Sequence, residues 1–208
     1  MKGLLVKDSH LMAKSGLGTY VFITVFVAFV LAMRGTKNQI WLPLIFVMFL
    51  VNGNLLYDRN SGWEKSSVVM PVSRKNIVQR KYLLFALTGM IGLFYGVVLT
   101  LTVCAVFRYP LLGREIVGNI LSDTVLMLCA GAVDLPICLL SMKYAGKKLL
   151  FVLLFVTVAA VCLLILMAPI WLNWFDPVFY FAILSLFAGG AYFVSYNTVC
   201  RRYEKMDL

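Results

Sequence analysis

Residues 82–107 read YLLFALTGMIGLFYGVVLTLTVCAVF and contain no charged side chain. A helix that crosses a bilayer needs about 20 consecutive, mostly apolar residues, so this stretch is long enough to span one. Further apolar stretches of similar length lie at residues 17–33, 38–57, 116–142, 149–171 and 178–199. The sequence therefore predicts an all-α membrane protein with six transmembrane helices.

The composition supports this class. Of the 208 residues, 62% are hydrophobic and 13% are charged, whereas soluble domains are about 45–50% apolar and about 25% charged. This excludes disordered, fibrous and disulfide-scaffold proteins and leaves little chain for a soluble catalytic domain. The 5 cysteines show no CxxC spacing, so neither a zinc site nor a disulfide framework is indicated. We expect residues 1–208 to form a single transmembrane domain.

The net charge of +10, from 19 Lys and Arg against 9 Asp and Glu, would favour nucleic-acid binding in a soluble chain. Here the basic residues cluster before span one, after spans two and four, and after span six. The positive-inside rule then predicts that both termini are cytoplasmic. No nucleic-acid partner is needed to explain the charge, and the partner expected from composition is membrane lipid. Tyr57, Tyr82 and Tyr203 fall near the inner boundary and are expected to anchor the spans there.

Residues 1–16 carry apolar side chains at helical spacing between lysines. This pattern predicts an amphipathic helix lying on the inner membrane surface. Two interpretations remain open for it. The segment is a simple surface anchor, or Asp8 and His10 mark a face that contacts a cytoplasmic partner.

The connection between spans two and three, YDRNSGWEKSSVVMPVSRKNIVQRKYL at residues 57–83, is longer than a hairpin needs. Ser61 followed by Glu64 is a capping box, in which each side chain bonds a free backbone N–H of the first helical turn. Pro71 disfavours helix at the preceding residue. The sequence therefore predicts a short cytoplasmic helix at residues 61–70.

The sequence predicts the start of a second helix directly after this segment. Ser73 is a candidate N-cap for span three, and Val72 with Ile77 has the spacing of a hydrophobic staple. The short helix with its Trp63 would thus lie between two spanning helices. Either it is a docking surface with an exposed Trp, or it is an interfacial helix that uses Trp63 as a headgroup anchor.

A family resemblance rests on this loop and on the features around it. The loop resembles that of small six-span permeases of type-2 ABC exporters, the group that includes the phenol-soluble modulin exporters and related bacterial peptide or bacteriocin-immunity systems. The opening MKGLLVKD, the chain length and the six-span topology are similar as well. The residues that carry the resemblance in the loop are Ser61, Gly62, Trp63, Glu64, Pro71, Val72, Ser73, Arg74, Ile77, Val78, Lys81, Tyr82 and Leu83.

The resemblance implies a multi-pass protein of the bacterial plasma membrane. It implies that residues 61–70 are a coupling helix seated in a cleft of a separate ATP-binding cassette ATPase subunit, which holds ATP and magnesium, and that residues 1–16 are an interfacial connecting helix. A second permease subunit, identical or related, would complete a dimer. The outer connection APIWLNWFDP at residues 168–177 is shorter than in larger exporters, so their re-entrant helices are not expected here. The implied coupling residues are Ser61, Gly62, Trp63, Glu64 and Lys65.

The chain lacks the chemistry of an enzyme. No G-x-x-x-x-G-K-[ST] pattern occurs, and Gly146-Lys147 is followed by Lys148, so a P-loop nucleotide site is not expected. There is 1 histidine and no metal-ligand cluster in the sequence. We expect no cofactor in this chain and ATP hydrolysis in a partner.

Span four contains two acids, Asp123 and Asp134. Eleven residues along a helix return to nearly the same face, about 16 Å further along its axis. Charges at that depth cost about 2.5–3.5 kcal/mol each, so both should face the protein interior or a water-filled path. With Asn119 they line a translocation pathway, or else each acid pairs with a neighbouring helix or lies close to a membrane interface.

The leading hypothesis is the permease subunit of an ABC exporter for peptide or other amphipathic cargo. The alternative is a proton-coupled secondary transporter that uses Asp134 and Asp123, although the two halves of the chain show no repeat of the kind such folds often carry. A third possibility is a membrane scaffold or immunity protein. The pairs Gly92 with Gly96 and Gly189 with Gly190 are expected to allow close helix packing, within the subunit or across a dimer.

Overall fold

The computed structural model describes three stretches of the chain, with single residues outside them. Within these stretches lie three long helices, α1 (Arg74–Phe107), α2 (Gly113–Leu140) and α3 (Pro177–Glu204). Each is long and apolar enough to cross a membrane, which agrees with predicted spans three, four and six. Predicted spans two and five, most of predicted span one, the termini and the helices expected at 1–16 and 61–70 lie outside the described residues. These residues are 73–108, 113–140 and 176–205, with Gly18, Val21, Phe22, Val25, Phe26, Phe29 and Asp58.

Helix α1 begins where the capping signal predicts. Ser73 is its N-cap, and the Ser73 hydroxyl accepts a hydrogen bond of 3.3 Å from the backbone N–H of Asn76. The helix therefore starts before the apolar stretch and carries Arg80 and Lys81 in regular helical geometry. It ends at Arg108, which takes a left-handed φ of 54° and donates its backbone N–H to the carbonyl of Cys104.

Helices α2 and α3 follow the same local rules. Helix α2 continues through Pro136 to Leu140. The Asp176 carboxylate caps α3 by accepting a hydrogen bond of 3.3 Å from the N–H of Val178. Arg201 and Arg202 lie in the last turn of α3, where positive charge favours the negative end of the helix dipole. This explains why α3 runs beyond the predicted apolar span.

The three helices pack as one bundle, in which α2 and α3 make the most extensive contact. A Cβ on Gly131 of α2 would lie 2.5 Å from the ring of Phe85 on α1 and 2.8 Å from that of Tyr192 on α3. Contacts further along show that α1 and α2 are antiparallel, whereas α2 and α3 are parallel. The end of α2 and the start of α3 therefore lie at opposite ends of the bundle.

The two ends of the bundle differ in charge and packing. We call the end of the bundle at which α1 begins the basic end. The opposite end, which contains Arg114 and Asp176, is called the far end. The positive-inside rule predicts that the basic end is cytoplasmic. The basic end carries Arg74, Lys75, Arg80, Lys81, Arg201, Arg202 and Lys205. The main buried core lies in the half next to it and consists of Val78, Tyr82, Phe85, Met127, Leu135, Leu139, Val199, Cys200 and Tyr203.

Candidate functional site

The basic end contains a group of buried charges that we call the buried ion cluster: Asp58, Arg80 and Lys81. These residues are 1%, 3% and 4% exposed. The Lys81 ammonium contacts Asp58 Oδ2 directly, and a guanidinium nitrogen of Arg80 lies 3.6 Å from the same oxygen. One carboxylate thus receives two cations inside the protein.

Burial of these charges is possible because they are paired. An isolated buried ion is strongly disfavoured, and removal of one partner from a buried pair typically costs about 3–5 kcal/mol. Arg80 and Lys81 are neighbours on α1, whereas Asp58 lies 23 positions before Lys81. The cluster therefore joins α1 to the residue that directly follows predicted span two.

This cluster is not predicted by the sequence. Arg80 and Lys81 count among the basic residues that predict the orientation, Lys81 also carries part of the family resemblance, and no role is predicted for Asp58. A usable signal existed: Asp58 directly follows one apolar span and Lys81 directly precedes the next, so opposite charges lie at a similar depth on consecutive spans. Nothing in that pattern, however, distinguishes a buried pair from two solvated charges.

Above the ion cluster, a polar and aromatic network joins all three helices. The hydroxyls of Tyr82 and Ser195 lie 2.9 Å apart, and Ser195 donates to the carbonyl of Ala132 at 2.7 Å. Tyr192 donates its hydroxyl to the carbonyl of Tyr82 at 2.8 Å, and the two rings make an edge-to-face contact. Buried hydrogen bonds of this kind fix the register of the helices because an unpaired group would be costly there.

Two of the expected aromatic anchors are instead core residues. Tyr82 is 4% exposed and Tyr203 is 1% exposed, so neither side chain faces lipid headgroups. An aromatic ring with a polar tip suits a membrane interface, but it suits a packed core with hydroxyl partners equally well. Nearby, Arg74 donates to the carbonyl of Glu204 at 3.1 Å, which ties the start of α1 to the end of α3.

The two acids of α2 face the protein interior, as predicted. Asp123 is 4% exposed and Asp134 is 8% exposed. Asp134 Oδ1 accepts a weak hydrogen bond of 3.9 Å from the thiol of Cys138. Asp123 Oδ2 is buried and has no hydrogen-bond partner among the residues described.

The acids do not form a pair with each other, because eleven residues of helix separate them by about 16 Å. Asn119, expected to extend this polar face, is half-buried, and its backbone carbonyl accepts a bond of 2.8 Å from the hydroxyl of Ser122. The inner face of α2 thus carries polar groups at separate depths. Within the described stretches, no group of His, Cys, Asp and Glu residues is arranged to hold a metal ion.

The glycine predictions have mixed outcomes. Gly92 and Gly96 are buried in the bundle, as expected for packing positions. Gly189 and Gly190 have open space where a Cβ would be, so neither makes a close contact with the described residues. The predicted coupling residues Ser61, Gly62, Trp63, Glu64 and Lys65, and the predicted contact residues Asp8 and His10, lie outside the described residues.

These features define a multi-pass α-helical membrane protein with acids in its interior and a basic end held by buried ions. The family model described as ABC-2 family transporter protein matches residues 3–204. The chain belongs to this family and is the membrane permease component of an ABC transporter, which works with a separate ATPase subunit. No curated protein sequence and no solved structure matches the chain.

Proposed function

We propose that this chain forms the translocation pathway of an ABC exporter for peptides or other amphipathic cargo in the bacterial plasma membrane. Two copies, or this chain and a related permease, form the dimeric pathway. ATP hydrolysis takes place in a separate subunit, and its movement reaches the permease through the coupling helix at residues 61–70. Membership of the ABC-2 family over residues 3–204 carries this proposal.

Two further observations support it. The full sequence has no P-loop pattern, so the hydrolytic site has to be supplied by a partner. Helix α2 presents Asp123 and Asp134 on its buried face, where carboxylates favour cationic groups of an amphipathic peptide. The peptide as cargo, the direction of transport and the dimer all belong to the proposal.

The test is a transport assay with the permease and its ATPase subunit in inverted membrane vesicles. The variant Trp63→Ala with Glu64→Ala should insert normally but lose ATP-dependent uptake of a cationic amphipathic peptide. Arg114→Gln, which changes an exposed residue at the far end, serves as the control and should retain uptake. Equal coupling of ATP hydrolysis to uptake in all three proteins would contradict the proposal.

One observation favours the alternative, a proton-coupled transporter. Asp123 is buried, and its Oδ2 has no hydrogen-bond partner in the described parts of the chain, which is how a site that binds and releases a proton is often arranged. Under this alternative, vesicles that contain the chain alone should transport substrate in response to a pH gradient. Asp134→Asn should then abolish the transport, and a wild type that shows none would eliminate the alternative.

A further inference from the structure

We infer that the basic end binds the phosphate headgroup of an anionic membrane lipid, whose acyl chains lie along the exposed face of α3. The headgroup site is a group of five cations that we call the basic patch: Arg74, Lys75, Arg201, Arg202 and Lys205. The inference goes beyond the proposed function, because it depends neither on the ATPase subunit nor on the cargo.

The first observation is that the fold brings cations from two distant segments together. The Arg74 guanidinium donates to the backbone carbonyl of Glu204 at 3.1 Å, although 130 positions separate these residues. Lys75 is the next residue of α1, and Arg201 lies three residues before Glu204 on α3. The start of α1 and the end of α3 therefore present their cations at one place on the surface.

The second observation is that the charge of the patch is not neutralised. Glu204 is the one exposed acid at this end among the residues described. The cations of the buried ion cluster, by contrast, are paired with a carboxylate inside the protein. Four cations of the patch are exposed and form no ion pair with a described residue: Lys75, Arg201, Arg202 and Lys205.

The third observation is the depth of Arg201 and Arg202. The predicted apolar span of α3 ends at residue 199, and a helix rises about 1.5 Å per residue, so these residues lie about 3–5 Å beyond it. The polar region on each side of a bilayer is about 5–8 Å thick. Basic residues at this depth attract anionic headgroups, and a guanidinium can donate two parallel hydrogen bonds to one phosphate.

The fourth observation is an apolar surface that leads directly to the patch. Phe187, Val194 and Arg201 recur at seven-residue spacing, so they lie on one face of α3. Phe187 is 73% exposed and Val194 is 63% exposed. Thr198 lies between Val194 and Arg201, and its hydroxyl donates to the carbonyl of Val194 at 2.8 Å. This face therefore offers apolar contacts to an acyl chain and a cation to the phosphate that the chain carries.

A second copy of the chain fits this face less well than a lipid does. Two subunits in one membrane are related by an axis along the membrane normal, so a contact through this face would place the two basic patches beside each other. Juxtaposition of like charges is unfavourable. An anionic lipid instead supplies the opposite charge.

The test measures binding of phosphatidylglycerol to the purified full chain in detergent by native mass spectrometry. Phosphatidylcholine with the same acyl chains is the neutral probe and should bind more weakly. Arg201→Gln with Lys205→Gln should weaken binding of phosphatidylglycerol about 25-fold, because each basic residue close to an anionic lipid contributes about fivefold. Binding of phosphatidylcholine should not change.

The matched control is Arg108→Gln with Arg114→Gln, which removes two exposed cations at the far end. This control has the same net charge as the test variant and should bind phosphatidylglycerol like the wild type. Arg201→Lys with Lys205→Arg keeps both cations and should also bind normally. If the test variant fails to insert, because basic residues set the topology, Arg201→Gln alone replaces it and should weaken binding about fivefold.

Thermal unfolding gives a second readout, since a ligand that binds the folded state stabilises it. Phosphatidylglycerol should raise the unfolding temperature of the wild type and the control more than that of Arg201→Gln with Lys205→Gln. Equal affinity of the wild type for the two lipids would overturn the inference. An equal loss of affinity in the test variant and the control would overturn it as well.

Two further outcomes would assign the patch to another ligand and so overturn the lipid site. Glycerol phosphate carries a phosphate without acyl chains, and its displacement of phosphatidylglycerol at equal concentration would show that the patch binds a soluble anion. Weaker binding of the ATPase subunit in Arg201→Gln with Lys205→Gln, with unchanged binding of phosphatidylglycerol, would show that the patch binds a protein.

Discussion

The two ends of the three-helix bundle are held together in opposite ways. At the basic end, Lys81 and Asp58 form an ion pair whose side chains are 5% and 2% exposed. At the far end, Arg114 and Asp176 form a pair whose side chains are 73% and 39% exposed. An exposed ion pair is worth about 0–1 kcal/mol, whereas breaking a buried one costs several times more.

The apolar side chains differ less between the two ends than the ion pairs do. The buried core lies in the half next to the basic end. Exposed apolar side chains occur in both halves: Leu186 is 78% exposed in the far half, and Phe193 is 63% exposed in the half next to the basic end, which suits contact with lipid or a second subunit. The comparison teaches that the end predicted to meet the ATPase is held by buried charges, whereas the far end has an ion pair that is exposed.

The largest expected effect is a loss of stability in Asp58→Asn, which is compared with the same substitution at the far end. Asp58→Asn removes the charge from the carboxylate that both buried cations contact and should lower the free energy of unfolding by about 3–5 kcal/mol. Asp176→Asn should lower it by less than about 1 kcal/mol, because the pair is exposed and the helix cap is retained. Equilibrium unfolding in mixed detergent micelles measures both. Equal losses would remove the contrast between the ends.

A cavity test sharpens the contrast in packing. Leu135 is 0% exposed and Leu186 is 78% exposed. Leu135→Ala should cost about 2–3 kcal/mol, because a cavity remains where the side chain packed. Leu186→Ala should cost far less, since lipid or detergent fills the space. The same unfolding assay compares the two, and a larger loss for Leu186→Ala would show that the exposed face is packed against a second subunit.

Much of this architecture follows from local sequence patterns. Apolar length predicts the three described spans, the hydroxyl at Ser73 predicts the start of α1, and the cost of charge in a bilayer predicts that Asp123 and Asp134 face inward. Each of these depends on a few consecutive residues or on one helical face. The six-span count and the coupling helix stay predictions.

The buried ion cluster could not be predicted in the same way. Asp58 and Lys81 are 23 positions apart, and their pairing depends on how the chain around Asp58 approaches α1. The burial of Tyr82 could not be predicted from the sequence for a similar reason. A tyrosine at a span boundary has the same sequence pattern whether its hydroxyl is exposed to water or hydrogen-bonded to Ser195. Only the packing of α3 against α1 determines which environment Tyr82 has.

Substitution of two glycines tests the close packing of the helices, and the expected change in stability is of intermediate size. A Cβ on Gly131 would lie 2.5 Å from Phe85 and 2.8 Å from Tyr192, so Gly131→Ala should cost about 1–3 kcal/mol through overpacking. Gly190 has open space at the same position, so Gly190→Ala should be neutral or stabilising, because Ala has the higher helix propensity. Thermal unfolding in detergent distinguishes them. A destabilising Gly190→Ala would indicate a helix partner at that face.

The smallest effect is expected for the hydroxyl network. Ser195→Ala removes the bonds to Tyr82 and Ala132 and should cost about 0.6 kcal/mol, the average for such bonds between membrane helices. Ser185 bonds only the carbonyl of Ala182 in its own helix among the contacts described, so Ser185→Ala is the matched control and should cost less. A double-mutant cycle with Tyr82→Phe isolates the bond, and zero coupling energy would refute the contact.

The central claim is that this chain is a permease driven by a separate ATPase that docks at the basic end. The most direct measurement is purification of the tagged chain from its native membranes in gentle detergent, with the partners identified by mass spectrometry. We predict stoichiometric recovery of a soluble P-loop ATPase, its loss in the Trp63→Ala and Glu64→Ala double variant, and its retention in Arg114→Gln. Recovery of the chain without any ATPase, under conditions that preserve known transporter complexes, would contradict the account.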